Sequence, residues 1–226
     1  MTQAIDDLLL ERLKQEIASD LKPEEPLAPA WKRALFLFPV WGTLLALSVG
    51  GFGIRNDYEI LGPWAAWVLA LIQLAVAYLL AIAGLRLVIP GALLAAGSVR
   101  LAAILAIASH LGIAAITFQR SPVPVAADRI WELWAICFLI TLMMSLLPLA
   151  AAAVFASKGL PFSPISLGAL CGLGAGLAGE AAWRMHCHYT AWEHILAAHT
   201  SAVVAAAIVG ALAGYLWRRR QIKLRH

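Results

Sequence analysis

Residues 133–156 read LWAICFLITLMMSLLPLAAAAVFA, a stretch with no Asp, Glu, Lys or Arg. As a helix rising 1.5 Å per residue it spans about 36 Å, more than the about 30 Å hydrocarbon core of a bilayer. Runs of the same kind lie on either side. Together they predict six membrane-spanning helices at roughly 33–53, 62–85, 101–118, 133–156, 164–185 and 196–217. Composition agrees: 62% of the 226 residues are hydrophobic and 13% charged, against about 25% charged in soluble domains. A soluble enzyme, a disordered regulator and a fibrous protein are excluded. The expected fold class is all-α, a polytopic bundle of six transmembrane helices in a lipid bilayer, with short connections making sequence neighbours antiparallel. The chain divides into a leader (1–32), the membrane domain (33–217) and a basic tail (218–226).

The placement of Lys and Arg sets the orientation. With the N-terminus inside, thirteen basic residues collect on the cytoplasmic side, and only Arg55, Arg120, Arg129 and Arg184 fall on the other. Because basic residues are retained in the cytoplasm, both termini are expected there. The tail basic residues, Arg218, Arg219, Arg220, Lys223 and Arg225, follow an apolar run and read as a cytoplasmic stop. No direct contact with nucleic acid is expected from them. Residues 1–30 lack the basic-then-apolar order of a secretion signal, so the first span must direct insertion.

The leader has its own pattern. Ile5, Leu8, Leu9, Leu13, Ile17 and Leu21 recur at helical spacing, while Asp6, Asp7, Glu11, Glu16 and Asp20 occupy much of the remainder. An acidic helix is repelled by the anionic inner leaflet. It suits the groove of a basic protein partner, although capping of the protein's own loops or a solvated leader remains open. Pro23, Pro26 and Pro29 make a stiff spacer after it.

Within the spans, Gly168, Gly172, Gly176 and Gly179 line one side of the fifth helix, and Gly210 and Gly214 lie on the sixth. Small residues let helices approach closely in lipid, and packing of these two helices is expected, with a homodimer as the alternative use. Pro148 removes a backbone donor from the fourth helix and is expected to kink it. Glu180 and Arg184, four apart, are expected to pair.

Cys137 and Cys187 both belong near the outer ends of helices and can meet if the fourth and fifth are adjacent; two inert buried thiols are the alternative. Cys171 lies far down the fifth helix, where packing is its expected role. Four of the six histidines, His186, His188, His194 and His199, fall within fourteen residues around Cys187. Thiolate and imidazole together are a ligand set for zinc, copper or cadmium, but the spacing matches no standard zinc motif, and interfacial histidines with no ligand role are the alternative. No hydrolytic triad or phosphate loop is present.

The chain resembles the six-transmembrane anti-sigma factors of bacteria called negative regulators of sigma F. The likeness rests on the Asp6-Asp7-Leu8-Leu9 leader, Gly53-Ile54-Arg55-Asn56-Asp57 after the first span, and Cys137 opening a helix that runs to Leu147-Pro148-Leu149-Ala150. It continues through Lys158-Gly159-Leu160-Pro161 and a glycine-rich fifth helix ending in His186-Cys187. The resemblance implies a bacterial inner-membrane protein without catalytic activity or required cofactor, whose N-terminal segment holds an extracytoplasmic-function sigma factor away from RNA polymerase. In that role Asp6, Asp7, Leu8, Leu9, Glu11, Leu13 and Ile17 would bind the sigma factor. Cys137 and Cys187 match the family's cysteine pair, implicated in sensing metal or oxidative stress, and a transition metal enters as signal. The sequence departs from the family in having His188-Tyr189-Thr190 after the second cysteine and in the additional Cys171. Two other classes are weighed against this one: a small metal or proton transporter built on His110, and a membrane metalloenzyme with Glu193 as base.

Overall fold

The computed structural model describes residues 10–16, 27–89, 96–126, 129–159 and 161–223. Among these the chain is helical, without strands. Six helices are long and apolar enough to cross a membrane: α1 Ala30–Phe52, α2 Pro63–Arg86, α3 Gly97–Arg120, α4 Ile130–Ala156, α5 Pro164–Arg184 and α6 Trp192–Gln221. The expected six-helix membrane bundle is therefore present. Helices α3, α4 and α6 begin several residues earlier than their apolar runs, because Arg100, Glu132 and Glu193 lie in helical turns that an apolarity criterion cuts off. The expected tail begins as a continuation of α6, which stays helical to Lys223.

Proline marks two of the starts, with Pro63 in the first turn of α2 and Pro164 in that of α5. Its missing N–H is no loss where the first turn has no acceptor for it. Helix α1 is broken by a turn at Phe36-Leu37 and closes in a π-turn, Ser48–Phe52, before Gly53 reverses the chain at φ 85°. Helix α4 runs unbroken through the buried Pro148.

Helix α5 is the centre of the bundle: 78% of its most apolar window is buried, against 22% to 50% for the other five helices. Its lack of side-chain bulk is the reason. A Cβ on Gly168 would collide with the backbone carbonyl of Gly210, one on Gly172 with that of Ala206, and one on Gly214 with that of Pro164, so α5 and α6 touch backbone to backbone. Gly179 abuts Thr141 and Ser145 of α4, and Gly174 abuts Ala77 of α2. The glycine stripe thus serves packing within one chain.

Two polar clamps tie the ends. Near the termini, Arg33 donates from Nε to the Ala28 carbonyl at 2.9 Å and from Nη2 to that of Leu85 at 2.8 Å. The Leu85 carbonyl, in the last turn of α2, also accepts from the Val88 N–H at 3.3 Å, so Arg33 adds a second, charged donor there. At the opposite end, Arg55 and Asp57 form a buried two-pronged ion pair, Nε to Oδ1 at 2.6 Å and Nη2 to Oδ2 at 2.7 Å. The Arg55 N–H also donates to the Met185 carbonyl at 2.9 Å, pinning the first loop against the end of α5. Thr190 joins the third connection to the fifth, accepting from the Val123 N–H at 2.8 Å and donating to the Ser121 carbonyl at 2.8 Å.

Residues 10–16 of the leader form a helical piece on which Glu11 and Leu13 are exposed. Asp6, Asp7, Leu8, Leu9 and Ile17 lie outside the described residues.

Four outcomes are expected from this packing. Gly168→Val should destabilise the detergent-solubilised protein by about 1–3 kcal/mol or more through overpacking. Gly42→Ala, where a Cβ meets nothing within 4 Å, should be neutral or slightly stabilising; equal melting of both variants and the parent would refute the backbone contact. Asp57→Ala should cost about 3–5 kcal/mol by leaving a buried Arg55 unpaired. Burial opposes ionisation of Asp57, but its bonds to Arg55 and Ser121 prevail and hold the carboxyl below its ordinary value. The pair's contribution is therefore complete above the unfolded value of about 3.9 and is lost as pH falls through the lower folded value. Melting curves between neutral and acid pH should lose part of their acid sensitivity in Asp57→Asn.

Candidate functional site

Two thiols and two imidazoles converge at the end of the bundle away from the termini. Cys137 comes from the second turn of α4, and Cys187 from the segment just after α5, where its N–H donates to the Trp183 carbonyl at 2.9 Å. Their sulfurs are 3.8 Å apart, and both cysteines are free and buried. His194 Nε2 lies 3.5 Å from the Cys187 sulfur. With His199 the group is complete: one ligand atom from each of Cys137, Cys187, His194 and His199 lies within 4.8 Å of every other, and all four residues are buried.

The local backbone makes this possible. In an α-helix, positions five apart point about 140° away from each other at 3.6 residues per turn. Residues Ile195–Thr200 form a π-helical turn, and an i→i+5 turn nearly completes a revolution over that spacing. His194 and His199 consequently share a face, with ring centroids 5.2 Å apart. Sequence periodicity alone separates them.

His186 and His188, the other candidate ligands, are placed elsewhere. His186 Nδ1 is 3.0 Å from the Gly53 carbonyl, and its ring lies 4.7 Å from that of Trp183. The His188 ring lies 4.3 Å from that of Tyr189, tilted by 33°, and burial lowers its affinity for a proton. Contact with Cys137, followed by burial, pushes the Cys187 thiol well above its ordinary value. Cys171 is buried on α5 where a Cβ on Gly84 of α2 would strike its sulfur, in keeping with a packing role.

Behind the thiol and imidazole group sits a buried polar network centred on Glu180, which is 0% exposed. The expected pair with Arg184 is formed. Gln73 of α2 also donates to the carboxylate, and reaches the Leu177 carbonyl at 3.1 Å. His110 of α3 lies 3.8 Å from Glu180 through Nδ1 and 2.9 Å from the Thr200 hydroxyl through Nε2. His199 Nδ1 is 3.5 Å from Glu180 Oε1. His110, isolated when the sequence alone is read, thus belongs to a cluster drawn from four helices. One signal for it was already present, since a lone carboxylate within an apolar span requires partners.

Chemically, the four ligand residues offer the donors that zinc and cadmium take, two sulfurs and two imidazole nitrogens. The adjacent thiols also suit reversible oxidation. Glu193, the candidate base of an enzyme, is exposed to the side of this buried group.

Comparison with curated proteins and with solved structures returns no match. The sequence pattern of the family described as NrsF, negative regulator of sigma F, matches residues 17–219. That range begins after Glu11 and Leu13 of the leader and takes in the first five spans, α6 but for its last two residues, and the four converging residues. A match over so much of the chain leads to one assignment: the chain belongs to the NrsF family, whose name denotes a negative regulator of a sigma factor.

Proposed function

We propose that this chain is an anti-sigma factor of the bacterial inner membrane that holds an extracytoplasmic-function sigma factor through its N-terminal segment. Release follows when the Cys137 and Cys187 site, on the outer side, binds a metal ion or is oxidised. The observation that carries the reading is the meeting of these two cysteines, fifty residues apart in sequence and 3.8 Å apart at their sulfurs, within a family of sigma-factor regulators.

Several features support it. The basic residues favour cytoplasmic termini by thirteen to four, which puts the leader where a sigma factor is found and the thiols where disulfides persist. Residues 10–16 are helical, and Leu10 and Leu13 are 56% and 55% exposed. Apolar side chains left bare on an acidic helix suit a partner's groove. As a switch, the two states must differ in affinity for the sigma factor by about 1.4 kcal/mol for every tenfold of release.

The transport alternative draws on the buried His110 and Glu180. The cavity beside Arg184 is about 10 Å³, room for about one water molecule, and neither His110 nor Glu180 lines it.

Co-purification tests the proposal. The sigma factor should follow the full-length protein and its Cys137→Ser/Cys187→Ser variant, and should be lost when residues 1–22 are removed. Cadmium or peroxide should release it from the parent and leave it bound to the cysteine variant. Absence of a retained sigma factor from every form would sink the reading.

A further inference from the structure

Resting on the sensing role just proposed, we infer that Cys137, Cys187, His194 and His199 close into a four-coordinate site for a divalent ion of the zinc and cadmium class, with Glu180 as the residue that positions His199.

Distance comes first. A tetrahedral ion with bonds of about 2.0–2.3 Å sets its ligands about 3.3–3.8 Å apart. The Cys137 and Cys187 sulfurs at 3.8 Å and the Cys187 sulfur and His194 nitrogen at 3.5 Å already meet that requirement. The widest separation in the group is within 4.8 Å, so closure needs a movement of about one ångström, within reach of side-chain adjustment.

A second observation points to a ligand. His199 is 1% exposed, and neither of its ring nitrogens has a hydrogen-bond partner of good geometry. Burying such a group unsatisfied is costly. Its Nδ1 faces Glu180 at 3.5 Å, which leaves Nε2 free for an ion beside the thiols. A carboxylate behind a ligating imidazole holds the ring in one tautomer and raises its basicity.

Charge selects the ion. On binding, each thiol releases its proton to solvent, and two thiolates with two neutral imidazoles exactly balance a divalent cation. A monovalent ion would leave one negative charge in an apolar slab, at a large desolvation cost. Glu180 and Arg184 already cancel one another, so the whole assembly is neutral. With four protein ligands the coordination sphere is full, as in structural sites rather than catalytic ones. His186, held by Gly53, is not needed.

The site also has a mechanical consequence. His199 is shared between the ion and Glu180, whose remaining partners are Gln73 on α2, His110 on α3 and Arg184 on α5. A shift of His199 towards the thiols therefore acts on the anchor of three other helices.

The test uses reduced full-length protein in detergent, titrated with Cd²⁺ and, as an optical probe of geometry, Co²⁺. One ion should bind per chain with release of about two protons, and Co²⁺ should show the visible bands of a tetrahedral site with two sulfur ligands. His194→Ala and His199→Ala should each weaken Cd²⁺ binding at least tenfold. Glu180→Gln should weaken it about 10–100-fold and shift the Co²⁺ bands while the thiolate band persists, a change that loss of helix packing alone would not produce. Should that variant fail to fold, Glu180→Gln/Arg184→Gln removes both charges together and takes its place. Parental affinity in both histidine variants, an octahedral Co²⁺ spectrum, or an unchanged affinity in the Glu180 variants would overturn the inference. Retention of the sigma factor by the same metal-free samples separates the two ideas: its absence refutes the anti-sigma reading, whereas its presence with a failed titration refutes only the metal site.

Discussion

Everything in this bundle depends on how closely α5 can approach its neighbours. In lipid there is no hydrophobic force between helices, so association rests on van der Waals contact and hydrogen bonds. Gly168 against Gly210 and Gly172 against Ala206 bring two backbones together with no side chain between them. Gly179 and Gly174 do the same towards α4 and α2. A helix surrounded on so many sides is the natural place for groups that lipid cannot tolerate, and α5 carries both Glu180 and Arg184.

That placement makes the ion pair affordable in a low-dielectric interior. A buried pair needs polar groups around it: Gln73 donates to the same carboxylate, and His110 and His199 stand 3.8 Å and 3.5 Å from it, each from another helix. The network is thereby more than a pair on one helix face. It fixes the relative positions of α2, α3, α5 and α6 beside the thiol group, so the chemistry of the site and the arrangement of the bundle share one residue, His199. The buried Arg55 and Asp57 perform a related task in the first loop, whose backbone bond to Met185 steadies the segment that carries Cys187.

Much of the site could be read from residue types, and its composition could not. The two cysteines and the histidine cluster stood out because soft donors are unusual beside apolar spans, and the pairing of Glu180 with Arg184 followed from their spacing. Which histidines join the thiols depended on the π-turn at Ile195–Thr200, for which the sequence offers no proline or glycine as a mark. His186 and His188 are nearer to Cys187 in sequence than either His194 or His199, yet the first is drawn away by Gly53 and the second by Tyr189.

The sequence by itself determined the class of fold and the number of spans, because hydrocarbon thickness and the need to bury every backbone polar group leave few alternatives to helices of this length. Only the tertiary structure decided that His110, Gln73 and His199 meet at Glu180, and that His194 and His199 turn to the same side. Those are contacts between residues up to 107 positions apart, set by the rotation of each helix about its axis. Helices that are apolar on nearly every face carry no stripe from which that rotation can be read.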